Sequence, residues 1–482
     1  GRAMQAGRRH LPRFWLGLQT GSPLADVGVL SELLRELTQT GAAIGLETAP
    51  FDGTGRVDEV VSAALRASGV QQDNVVVSRL VGIVDGDAAR RAALLAEFGP
   101  EAVTVVDETT SSCLAPAFVE REAVQASETL GRPLDLLMVV NPEDFVVGRI
   151  NRSDPLKAGE DKQKWDSELR GLLRDSFGRL NSLCAKGVLG GYGVSSEALE
   201  MGAGPAALHP NTITAAAAAA ASKGPGQSAT GFLRCVAMPG NLVERRAWRA
   251  VAQWAHDRSL GLLLTRPLTA RDPTGAPLPL DDGGSSHGSE DNYDQVRAEA
   301  ASWFVPPAED EWPSDYSEAD RADVVEAVEF MASFLNQLHE ALPGYTSPLH
   351  WEKDLATQVA PVVRDRLAEV DETSASLIAR FLDAYGRRVR ITCQRRTRQV
   401  VSDPLGEGGL GYGATRPPWP GVRLGAEEPL QDFAGRWCGA VVQTGEADGV
   451  VLHAATAEEA ERMLAAIQSA TVAAEGGGGA RQ

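Results

Sequence analysis

Residues 43–56 read AIGLETAPFDGTGR. Ala43–Thr48 is a short apolar run, and the turn formers Pro50, Asp52, Gly53 and Gly55 close it. That is the pattern of a buried strand running into a loop. Val57–Ala67 follows with apolar residues at helical spacing. Strand, loop and helix in succession make the first half of a βαβ unit, and the pattern recurs outward from it. Apolar runs at Val75–Leu80, Leu134–Val140, Val188–Val194, Phe232–Ala237, Gly261–Thr265 and Gly449–Ala454 read as further buried strands. Helical spacing marks Val29–Leu37, Ala88–Phe98, Leu169–Cys184, Leu242–Asp257, Leu430–Gln443 and Ala457–Ile467. Such alternation predicts an α/β fold whose parallel sheet is covered on both faces. Seven recognisable strands favour a closed (β/α)8 TIM barrel over an open sheet. The eighth strand has no clear place in the sequence.

Two stretches interrupt the alternation, and they set the expected domain boundaries. Residues 1–12 are a basic extension, 13–270 the barrel, 271–429 a large insertion, 430–470 the completion of the barrel and 471–482 a flexible tail. Within the barrel, 203–230 is a smaller insertion that holds the alanines 215–221 and most of a KGPGQSATG stretch. The large insertion opens as an acidic, Gly/Ser/Pro-rich loop and then turns helical. Ser317 caps a helix over Glu318–Ala341, Ser347 and Pro348 open a second to about Val370, and Thr373 opens a third to Tyr385. Val325, Val328, Phe330, Phe334 and Leu338 form an apolar stripe that must bury against something. After Tyr385 comes RRVRITCQRRTR, with Arg387, Arg388, Arg390, Arg395, Arg396 and Arg398, and then a GEGGLGYGATRPPWPG loop.

The chain has 482 residues, with 46 Lys plus Arg against 65 Asp plus Glu, a net charge of −19. Its 43% hydrophobic content supports a packed core and excludes wholesale disorder. The acidity argues against general nucleic-acid binding, which needs a basic footprint. Cys113, Cys184, Cys235, Cys393 and Cys438 are widely spread with no CxxC pair. That speaks against a disulfide framework and a zinc site, and for a reducing compartment. His209 and His453 are isolated, so no metal site is expected. No apolar run approaches the roughly 20 residues of a membrane span. The basic opening GRAMQAGRRH reads either as the remnant of an organellar transit peptide or merely as the point where the sequence starts.

The strand-end residues carry a family resemblance. ETAPFDGTG at 47–55 resembles the strand-1 motif D-T-A-x-x-Y-G-x-G of the aldo/keto reductases. In the same order, VVVSRLVG (75–82), LDLLMVVNPE (134–143), GVLGGYGVSS (187–196), VAMPGNLVERR (236–246), LLLTRPL (262–268) and GVVLHAATAEEAERMLAAI (449–467) resemble later elements of that family. The resemblance covers roughly residues 13–270 and 430–470. It implies a barrel with a nicotinamide cofactor at the C-terminal ends of the strands and a catalytic tetrad of Asp, Tyr, Lys and His. Tyrosine would protonate the carbonyl as hydride arrives, Lys would lower its pKa, Asp would hold the Lys and His would orient the substrate.

The four matching positions are Glu47, Asp52, Leu80 and Val140. An Asp has no proton to give at neutral pH, Leu80 supplies no cation and Val140 no hydrogen bond. The four are therefore vestigial, and no catalytic residue is expected. Glu47 reads as a relic whose charge Arg56 or Arg79 offsets. Ser195 and Ser196 remain, as vestigial cofactor contacts, where the family binds the nicotinamide amide. Ala237, Thr265, His453 and Ala454 replace other cofactor-binding residues, and Glu459 one turn on opposes a phosphate. No cofactor is expected, with NADP or NAD the candidates if the pocket is retained.

These readings lead to an expected function. The chain is a non-catalytic structural or accessory subunit of a larger organellar assembly, the mitochondrion ahead of the chloroplast, with the cytoplasm as the other compartment. Its partners are other protein subunits. The arginine strip 387–398 is either a solvated face neutralised by the acidic insertion or a dock for an anionic partner. The alternatives are an active NAD(P)-dependent oxidoreductase with a rewired site and a nucleotide-binding sensor without turnover.

Overall fold

The computed structural model describes residues 11–465 apart from 20–21, 40–42, 53, 153–157, 200–206, 222–228, 242–245, 272–276, 280–291, 311, 313, 346, 368–371, 403–429 and 455. The expected loop after the arginine strip, the tail and the basic N-terminal run lie outside the described residues. The chain forms two compact units. One is built on residues up to Leu268 and from Asp432 onward, the other on Thr269–Pro418.

Eight parallel strands close a barrel in the first unit. They are β1 (Phe14–Gln19), β2 (Ile44–Ala49), β3 (Val75–Val81), β4 (Leu136–Val140), β5 (Tyr192–Ser195), β6 (Leu233–Pro239), β7 (Gly261–Thr265) and β8 (Gly449–Leu452). Each pairs with its neighbours in sequence, and β8 returns to β1. The eighth strand that sequence reading could not place is thus β1, whose apolar run FWLGL lies directly after the basic opening residues. Strand β2 is buried at all six positions and β3 at all seven. This is what a sheet covered on both faces requires, and it explains why the two strands are apolar except at Glu47, Thr48, Ser78 and Arg79.

Helices follow most strands. Val27–Thr38 starts at Asp26, whose carboxylate accepts from the N–H groups of Gly28 and Val29. Arg56–Ser68 ends at Gly69, which takes φ 68°, a conformation glycine adopts without a Cβ penalty. Ala88–Phe98 occupies its expected bounds, and Ala158–Ala185 is longer than the stretch 169–184 that the spacing marks. The alanine run belongs to a helix over Pro210–Ala220. Between β3 and β4 the chain adds a three-stranded antiparallel sheet, Ile83–Asp85, Thr110–Cys113 and Val103–Val105, which has no counterpart in the sequence reading.

The second unit is helical around one core. Glu318–Ala341 has its expected bounds, with Ser317 and Asp320 in a reciprocal capping box. Pro348–Asp354 passes into a π-helical turn, Leu355–Val359, and then Ala360–Leu367. The third helix does not stop at Tyr385. It runs Glu372–Ser402, straight through the arginine strip. Leu377, Phe381, Tyr385, Val389, Cys393 and Thr397 are buried at spacings of four along it. That inner face carries the helix on, and arginine is itself a good helix former. Among the described residues no helix is long and apolar enough to cross a membrane.

Candidate functional site at the barrel mouth

Alternation along the strands decides which side chains enter the barrel. Trp15, Ala49, Val76, Leu80, Leu136, Met138, Val140, Cys235, Ala237, Leu263 and Val451 form one buried apolar cluster there. Trp15 packs in the barrel interior toward the N-terminal ends of the strands, its indole N–H donating to Pro12 O at 2.8 Å, and Gly45 leaves it room: a Cβ at Gly45 would lie 2.0 Å from the indole. Leu80 and Val140, at the C-terminal ends of β3 and β4, belong to the same cluster. The positions that the resemblance assigns to a cation and an imidazole are thus part of an apolar core.

Among the described residues, Glu47 places a carboxylate in this interior. It pairs in register with Gly17 of β1 and Ser78 of β3. Its side chain is only 3% exposed, and burial raises its pKa to about 7. Its Oε2 has no hydrogen-bond partner, and neither has the Oγ of buried Ser78. The nearest basic group is His453, immediately past β8, whose Nε2 lies 4.0 Å from Glu47 Oε1. The imidazole lies across Gly17, where a Cβ would come within 2.2 Å of it. Its side chain is 42% exposed, and its partial burial in the mouth lowers its pKa.

Neither arginine offsets Glu47, contrary to the expectation. Arg79 follows Ser78 and points to the outer face of the sheet. There it is 1% exposed and paired with Asp58 and Glu122. Thr48 Oγ1 donates to Asp58 Oδ1 at 2.6 Å. Burial raises the Asp58 pKa, and Arg79 acts against that rise. Arg56 is exposed at the start of its helix. Asp52 is spent on the loop: its carboxylate accepts from Thr54 N at 3.1 Å and from Thr54 Oγ1 at 3.0 Å, and its carbonyl accepts from Arg90.

A second polar cluster lies in the loops after β4, β5 and β7, and sequence reading missed it. Buried Glu143 accepts through Oε1 from Ser196 Oγ at 2.7 Å and Ala198 N at 3.1 Å, while its Oε2 has no hydrogen-bond partner. Burial raises its pKa to about 7. Asp144 is raised to about 6, by burial first and then by Glu197 and Asp107. Asn141 and Arg266, each the first residue after its strand, have positive φ of 41° and 53°. Asn141 Oδ1 accepts from Glu197 N at 3.2 Å, and Arg266 Nε approaches Glu197 Oε1 at 3.8 Å. Strained backbone and raised carboxylates at strand ends are the usual dress of a functional mouth. The available signal was the NPED run at 141–144, directly after an apolar strand. Ser196 is committed to Glu143, and Ser195 closes β5 half-buried.

The cysteines offer no nucleophile. All five are free and buried, and burial raises Cys113 and Cys184 to about 12.

In the second unit, Arg387 pairs with Asp383 and donates to Asn292 Oδ1 at 3.0 Å. Arg388 pairs with Asp294, and Arg390 with Glu352 at 3.1 Å. These three spend charge on acidic and polar groups of their own unit. Arg395 is exposed, and Arg396 and Arg398 are half-buried. Elsewhere in the unit, Phe330, Phe334, Tyr345, Asp354 and Val359 line a half-open groove of about 570 Å³.

No protein-family model matches the chain, and no curated protein is significantly similar to it.

Proposed function

We propose that this chain is a non-catalytic barrel protein of aldo/keto reductase type, carrying a helical insertion, that serves as an accessory subunit of a larger assembly. One observation carries the reading. Leu80 and Val140 are packed into the apolar interior of the barrel, at the strand ends where a reductase of this type needs a cation and an imidazole. A carbonyl accepting hydride needs a proton from a nearby acid, and a tyrosine in that role needs a cation to bring its pKa down into range. Asp52 has its carboxylate turned back onto Thr54. Among the described residues no Lys or Arg pairs with Glu47, and Arg79 is engaged on the other face of the sheet. Ser196 is held by Glu143 instead of facing a nicotinamide amide. The second unit, with its own core and its strip of arginines, supplies surface for partner subunits. An organellar setting belongs to the same proposal.

The test is direct. Purified protein with NADPH or NADH and a panel of aldehydes and ketones is expected to oxidise no cofactor above buffer. Loss of a general acid alone costs about 10²–10⁴-fold, and here its activating cation is missing as well. Turnover within about tenfold of ordinary enzyme rates, roughly 1–10³ per second, would overturn the proposal. Native purification from fractionated cells is expected to bring the chain down with other subunits. Migration as a free monomer would remove the accessory role.

A further inference from the structure

We propose that the barrel mouth binds a small primary ammonium ligand, with Glu47 as counter-ion and Ser78 and His453 as further acceptors. The proposal goes beyond the accessory reading and rests on unmet hydrogen-bonding capacity. Two inward-facing oxygens on adjacent strands, Glu47 Oε2 and Ser78 Oγ, are buried without a hydrogen-bond partner. Each such group costs free energy until something donates to it, and a carboxylate costs more than a hydroxyl. Among the described residues no Lys or Arg pairs with Glu47. Arg79, the nearest arginine in sequence, pairs with Asp58 and Glu122 on the opposite face. Cys235 across the barrel is a buried thiol that feels the Glu47 charge and does not offset it.

The geometry selects the class of ligand. Glu47 Oε1 and His453 Nε2 lie 4.0 Å apart, too far to bond each other. A donor nitrogen placed between them can still reach both at ordinary hydrogen-bond length. An ammonium group brings three N–H donors and a positive charge, matching one carboxylate and two neutral acceptors. The surroundings set the nature of its tail. Trp15 lies below, and Leu80 and Val140 form an apolar wall at the strand ends, which match an alkyl tail. The partly exposed His453 gives the site a route to solvent.

The probe is n-butylammonium chloride, titrated calorimetrically against the full chain, with n-butanol as the neutral isostere. The expected result is saturable binding of the amine, at least tenfold tighter than of the alcohol. Glu47→Gln should weaken amine binding at least tenfold and Ser78→Ala to a smaller degree. Asp52→Asn, at the loop outside the barrel interior, should bind like the parent. Thermal melting of each variant establishes that it is folded, and Ser78→Ala carries the test should Glu47→Gln fail to fold. No saturable binding would overturn the proposal and leave the site to ordered water. Equal affinity for n-butanol would reduce the site to an apolar pocket. Parent-like binding by a folded Glu47→Gln variant would also overturn it.

Discussion

Glu47 and Arg79 lie on neighbouring strands, both almost fully buried, and their surroundings could hardly differ more. Arg79 faces outward, between sheet and helices, where Asp58 and Glu122 take its charge, Thr48 supports Asp58, and only its Nε is left without an acceptor. Glu47 faces inward, with one oxygen unpaired and a histidine beyond bonding distance. Burial of charge is costly in both places, and among the described residues only the outer face carries a compensating ion pair. The outer cluster therefore bears on holding helices to the sheet. The lumen keeps an unmet valence, which a chain selected only to stay folded has no reason to keep.

The largest expected effect comes from breaking the compensated side. Arg79→Met leaves Asp58, 1% exposed, without its cation, and Glu122 with Arg121 at 3.8 Å in place of the closer Arg79. Removing one partner of a buried ion pair typically costs about 3–5 kcal/mol. That is a large part of the roughly 5–15 kcal/mol that holds a domain folded. Urea unfolding should show this loss. The triple variant Arg79→Met, Asp58→Leu, Glu122→Leu should recover most of it, because no buried charge is left alone. A loss under about 1 kcal/mol for the single variant would erase the distinction between the two faces.

The uncompensated side should respond with the opposite sign. Glu47 has a folded pKa of about 7 against an ordinary 4.5. Between those values the folded state holds more protons than the unfolded one, so stability falls as pH rises. Below pH 4.5 the residue costs nothing by this route. Above pH 7 it costs roughly 3 kcal/mol. Glu143, also raised to about 7, acts in the same window. Glu47→Gln should therefore match the parent at pH 4 and exceed it by up to roughly 3 kcal/mol at pH 8, with Glu143 still supplying a slope. Melting curves across that range measure it. Equal stability at pH 8 would mean that the carboxylate is already compensated.

Much of this architecture could be read from the sequence, because parallel strands buried on both faces leave short β-branched runs such as Val75–Val77 that alternate with helical spacing along the chain. Strand β1 escaped because FWLGL follows a basic stretch and contains a glycine. That glycine is needed for His453, a contact 436 residues away in the chain. The helix through Arg387–Arg398 was not legible because six arginines mask the pattern of apolar residues four apart beneath them. The position of Glu47 was legible from its motif. Its isolation was not, because register decides that Glu47 faces Ser78 while Arg79 turns outward. Glu143 is a similar case: its partner Ser196 comes from another loop, which no local pattern connects to it.

The smallest effect on stability is expected where charge lies outside a core. On the helix Glu372–Ser402 the arginines lie opposite the buried face, and Arg387, Arg388 and Arg390 already pair within their unit. Exposed ion pairs contribute about 0–1 kcal/mol, and surface substitutions change stability by about 0.5 kcal/mol. Replacing Arg395, Arg396 and Arg398 with Ala should therefore shift thermal melting by only a few degrees at most. If the strip holds an anionic partner, the same variant should weaken incorporation into the native assembly, and added salt should weaken the parent's incorporation as charge is screened. This sharpens the contrast between the two units: charge in the barrel is read by stability, and charge on the helical unit by association. Normal, salt-independent incorporation of the triple variant would make the strip a solvated face and leave the barrel mouth as the chain's one proposed point of contact.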